Sequence, residues 1–138
     1  VSERAYFVRL AYDDVRPMMG VIPPLHPRGL MDEMRKVIDA DTLELVRPQK
    51  LDREYVMLVD ERGRLKEKNY VNVVASWLYG AEQHGEPIVG HAVILKAIPQ
   101  DFTYMTYDEA KTVWRDLMGK VPTAYAHISE RFYHDSEA

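Results

Sequence analysis

The chain of 138 residues contains no cysteine, which excludes disulfides, thiolate nucleophiles and cysteine-ligated zinc. It also lacks an apolar run of membrane-spanning length. The opening segment VSERAYFVRL carries charge where a signal peptide would need an apolar stretch, so a cytosolic protein is expected. The seven glycines are scattered, and none of their surroundings forms a phosphate-cradling loop; no Gly-x-Ser-x-Gly nucleophile elbow occurs either. Excess positive charge is absent too. With Lys+Arg 18 against Asp+Glu 22 the formal net charge is −4, which opposes nucleic-acid binding, because counterion release needs clustered basic residues.

What remains is an ordinary globular composition, 46% hydrophobic and 29% charged. A chain of this size buries one core, so residues 1–138 are expected to form a single domain, alone or as a small homo-oligomer. AYFVRLAY alternates and is rich in aromatic and β-branched residues, which predicts a strand over Ala5 to Tyr12. The following piece holds four of the eight prolines. It reads as a Pro-rich loop over 13–29, since proline removes donors and pushes its predecessor toward extended geometry.

Leu30, Met31, Met34, Val37 and Ile38 share one helical stripe. DTLELVRP and REYVMLVDERGRL each read as a strand, the second entering a turn at Glu61, Arg62 and Gly63, where glycine would supply a positive φ. Val71 to Tyr79 reads as a short helix capped by Asn69 or Asn72. PIVGHAVILKAI has the apolar continuity of a central strand covered on both faces, with Gly90 marking a bulge or close approach. Thr106 and Glu109 match a capping box for a helix striped by Ala110, Val113, Trp114, Leu117 and Met118 and stopped by Gly119. A last helix is expected from Thr123 to about His134, and residues 135–138 should fray. The fold expected is α+β, a small, mainly antiparallel sheet of about four strands packed against three to four helices.

Chemistry is thinly signalled. His127, Glu130 and His134 fall at i, i+3 and i+7, a spacing that would suit zinc, but Arg131 lies among them, and the plainer reading is a solvated helix face opposite Tyr125, Ile128 and Phe132. His91 lies in the apolar strand with no carboxylate or nucleophile signalled beside it, so it reads as a sheet residue. No cofactor and no catalytic set is expected. The apolar, proline-bracketed residues Met18, Met19, Val21, Ile22 and Leu25 offer a contact surface for another protein, as adaptable methionine surfaces do. The alternative is a small-ligand or nucleotide pocket using Arg62, Arg64 or Lys66 on phosphate and Tyr104 or Tyr107 for stacking.

The succession DTLELV, VMLVDERGRLKEKNYVNVVASWLYG, PIVGHAVIL and DFTYMTYDEA resembles the domain-of-unknown-function family numbered 3846, small proteins of phages, plasmids and other mobile elements, over roughly Leu30 to Arg115. The resemblance implies structural roles: Glu61 and Gly63 shape a turn, Asn72 caps or tethers, Ala75 and Ser76 allow close packing, and Gly90 relieves a crowded strand. It brings no catalytic residues. What it implies is a setting, the accessory genes of mobile elements, where inhibitors of host defence and conjugation or replication accessories are common. With the mildly acidic charge, the absence of an assembled catalytic set and the apolar loop Met18 to Leu25, the expectation is a non-enzymatic accessory protein that binds a host or element-encoded protein in the host cytosol, the less favoured alternative to both readings being a metal-dependent enzyme around His127 and His134.

Overall fold

In the computed structural model, residues 4–23, 27–63 and 70–129 are described. Six strands form one antiparallel sheet: β1 (Ala5–Leu10), β2 (Met18–Ile22), β3 (Leu43–Val46), β4 (Tyr55–Asp60), β5 (Ala92–Ile98) and β6 (Asp101–Thr103). Their order is β2-β1-β5-β4-β3. β6 pairs with the second half of β5, Lys96 to Ile98, while β1 pairs with its first half, Ala92 to Ile94. The apolar run of β5 is explained by this placement, because a strand with neighbours on both edges and helices over both faces has no side open to water.

Helix α1 (Pro27–Ile38) covers one face, where Leu30, Met34 and Ile38 pack on Phe7, Val56, Leu58, Val93 and Leu95. The other face carries α2 (Val73–Tyr79) and α4 (Tyr107–Ala124), which bury Val74, Leu78, Val113 and Leu117 against Val8, Met57, Val59 and Ile94. Neighbours in sequence on β4 thus serve opposite cores, as a two-residue period requires. Full burial of side chains this size contributes roughly 1.5–3 kcal/mol each. A one-turn helix α3 (Ala81–His84) follows α2.

The expected α+β class with an antiparallel sheet is present, with six strands in place of about four. Of the two added strands, β6 is the short Asp101–Thr103 and β2 comes from the stretch expected to be a Pro-rich loop over 13–29. Pro17 and Pro23 flank Met18–Ile22 without entering it, leaving five residues free to pair with β1 from Arg9↔Met18 to Ala5↔Ile22. Pro27, for its part, opens α1, where a missing N–H costs nothing.

Two further expectations are corrected. Gly119 does not stop α4, which runs on to Ala124 through Pro122 and passes into a π-helical turn at Tyr125–Ser129. The apolar stripe continues through Val121, Ala124 and Ile128 into the core, and this packing outweighs both helix breakers. No separate helix begins at Thr123, and residues 130–138 lie outside the described residues. Gly63, second, is not in the left-handed region; a Cβ there would lie 2.3 Å from the carbonyl oxygen of Val89, so the position needs glycine for close approach of two main chains. The capping box at Thr106 and Glu109 is formed in both directions, at 3.2 and 3.0 Å.

Candidate functional site

The sheet ends in β2, whose only strand partner among the described residues is β1. Which of its main-chain groups face outward follows from hydrogen bonds elsewhere. Tyr6 and Met105 exchange both N–H···O bonds at 2.9 Å, so the peptide groups of Tyr6 point toward the β5–β6 side of β1. Strand peptides alternate, and the groups of Ala5, Phe7 and Arg9 therefore point to β2, engaging Ile22, Gly20 and Met18. The N–H and C=O groups of Met19 and Val21 are left facing away from the sheet.

Side chains complete this edge. Met18 and Val21 are 54% and 49% exposed, and no residue of Met18–Ile22 is charged. Met19 is partly buried against the α4 side of the core and Ile22 against the α1 side. The Trp114 indole N–H donates to the Pro17 carbonyl at 2.8 Å, which ties the start of the strand to α4. On the α1 side a shallow groove runs beside the edge, lined by Phe7, Arg9, Met18, Gly20, Lys36 and Val37. Four of the five residues expected to make a contact surface, Met18, Met19, Val21 and Ile22, thus lie on one strand, while Leu25 lies outside the described residues.

Of the residues of the alternative ligand pocket that are described, Arg62 is not brought together with Tyr104 and Tyr107. Arg62 follows the C-terminal end of β4, its N–H donating to Asp60 at 2.9 Å, whereas Thr103, next to Tyr104, pairs with Lys96, which pairs with Tyr55 at the other end of β4. The length of β4, about 17 Å at the usual rise per residue, separates them. Tyr104 packs on the α1-side core, and Tyr107 stands edge-on to Tyr6 at 5.4 Å with the Lys111 ammonium 5.5 Å from its ring. Arg64 and Lys66 lie outside the described residues.

His127 is exposed on the π-helical turn while Ile128 beside it is fully buried; Glu130 and His134 lie outside the described residues. Among the described residues no group of three or more histidine and carboxylate side chains could hold a metal ion. No helix among them is long and apolar enough to cross a membrane.

Two polar features were only partly visible in the sequence. Asn72, 2% exposed, caps α2 by accepting from Ala75 N–H at 3.1 Å and donates through its amide to the carbonyls of Leu10 at 2.8 Å and Gly90 at 2.9 Å. It thereby joins α2 to the ends of β1 and β5. Ser76 adds a second tie, its hydroxyl accepting from Ile88 N–H at 2.8 Å. His91 is stacked on Tyr12 at 4.7 Å, and its Nδ1 is buried without a hydrogen-bond partner among the described residues. Burial lowers its pKa below the ordinary histidine value, and the nearby Arg9 charge adds to the effect.

Comparison of the chain with family models, with curated proteins and with solved structures gives no match.

Proposed function

We propose that the protein is a non-enzymatic binding module that takes up an extended segment of a partner protein as an additional strand on β2. The observation that carries this reading is the outward direction of the Met19 and Val21 peptide groups on an uncharged terminal strand with exposed Met18 and Val21. Sheet edges of this kind are templates for pairing, and folds that must avoid pairing place lysine, proline or a bulge within the edge strand. Here the prolines stand only at its borders. Main-chain bonds would supply affinity, and side chains on alternate positions specificity.

The resemblance to family 3846, which rests on the residues quoted above, supports a host or element-encoded protein as the partner and interference with host defence as the setting. Extended pairing also explains why the site carries no constellation of titratable groups: strand addition requires none.

The test is Val21→Pro. Proline removes one outward N–H, leaves the bonds of Gly20 and Ile22 to β1, and follows a glycine that readily adopts the extended geometry required before proline. The tagged variant is expected to keep the wild-type thermal transition and lose the partner captured by the wild type, while Val21→Thr retains it. Capture by Val21→Pro at wild-type strength would overturn strand addition. Sedimentation of both proteins shows whether the captured strand is β2 of a second copy.

A further inference from the structure

Beside the β2 edge, the α1-side groove brings together two cations and an apolar floor. Arg9 shares the α1-facing side of β1 with Phe7, and it is paired across the ladder with Met18. Its Nε is buried without a hydrogen-bond partner among the described residues. Lys36 borders the same groove from α1, 76% exposed, with one contact of 3.5 Å to Glu33. No carboxylate lines the groove, although the chain as a whole is acidic at −4.

We infer that this groove receives an aspartate or glutamate side chain of the added strand, flanked by apolar residues at alternate positions. The inference rests on the strand-addition reading above. Geometry supports it: an added strand would lie about 10 Å from β1, two interstrand spacings, with its α1-facing side chains pointing into the groove. Two long side chains reaching toward each other, a glutamate from the added strand and Arg9 from β1, span such a gap. Chemistry supports it as well. A carboxylate entering the groove meets the positive charge of Arg9, which lines it, and a guanidinium–carboxylate contact is a charge-assisted bond, bidentate where the fork is presented. Lys36 adds a second, more screened attraction. Phe7, Met18 and Val37 supply the apolar surface on which the flanking positions rest.

The experiment is selection of peptides from a displayed random heptapeptide library on the wild-type protein, on Arg9→Met and on Val21→Pro, each first checked by circular dichroism and thermal denaturation. Wild-type selection is expected to yield sequences with an acidic residue at one fixed position and apolar residues two positions away. For a selected peptide, replacing that acid by its amide is expected to weaken binding about tenfold, the scale of a charge-assisted pair. Arg9→Met should select with equal yield but without the acid and show no difference between acid and amide peptides. Selection that depends on Val21 but shows no acidic preference would overturn the groove inference and leave strand addition standing. Selection unaffected by Val21→Pro, or no peptide recovered on the wild type, would overturn both.

Discussion

The ring of Phe7 occupies the space that a side chain at Gly20 would need: a Cβ built on Gly20 would lie 2.1 Å from Cζ and 2.3 Å from Cε2 of Phe7. The two residues are paired across β1 and β2, so the ring covers a glycine on the last strand before water while also packing in the α1-side core. Aromatic cover of this sort fixes the register of an edge strand. Gly20→Ala is expected to push Phe7 out of its place and cost about 1–3 kcal/mol, the usual scale of overpacking. Urea unfolding measures it. An alanine variant as stable as the wild type would show that the ring is not held there.

Asn72 carries more of the architecture than its size suggests. Replacing it by leucine leaves the carbonyls of Leu10 and Gly90 and the N–H of Ala75 without their partner, with an expected loss of about 3 kcal/mol or more. Asn72→Asp keeps the cap acceptor but sets a carboxylate against two carbonyl oxygens. That variant should be less stable than the leucine variant at pH 7 and regain ground in acid, where the protonated group can donate again. Stability of the two variants that is equal at every pH would contradict the donor role.

Close approach, not torsion, is the demand at Gly63. Because the atom facing it is the main-chain oxygen of Val89, no rotamer change can relieve a methyl group there. Gly63→Ala is expected to cost about 1–3 kcal/mol by forcing the two segments apart. Amide exchange should quicken at Gly90, whose N–H donates to Tyr70 at 3.0 Å in the adjoining crossing. Unchanged exchange there would place the strain elsewhere.

These positions also show where the sequence was readable. The α1 stripe, the Thr106 capping box and the doubly covered β5 were legible because each is a local period or a local cap. Strand β2 was not, since Met18–Ile22 is short, shows no polar alternation and is bordered by prolines, and only pairing with β1 makes it a strand. The contact residues were readable as apolar and exposed, yet the outward direction of Met19 and Val21 depends on the Tyr6–Met105 pair, far away in the chain. Gly119 and Pro122 signalled a break that burial of Ala124 and Ile128 overrides. Local rules failed where a distant contact decided the outcome.

His91 makes stability depend on pH below neutrality. Its folded pKa lies below the ordinary histidine value of about 6.5, chiefly because burial disfavours the charged ring and then because Arg9 repels it, with Asp13 and Asp39 acting in the opposite sense. The unfolded chain therefore takes up the proton first as pH falls. Above 6.5 the ring is neutral in both states and its contribution is complete. Between 6.5 and the lower folded pKa the unfolded state binds more protons and stability declines; below the folded pKa both states are protonated and this decline ends. The His91→Gln variant is expected to lose less stability than the wild type between pH 7 and pH 5, measured as the shift in urea midpoint. Titration of the His91 ring resonance by NMR checks the cause directly, with an expected midpoint below 6.5. A midpoint at or above that value, or identical pH slopes in the two proteins, would show that the ring on Tyr12 is not held neutral by its burial.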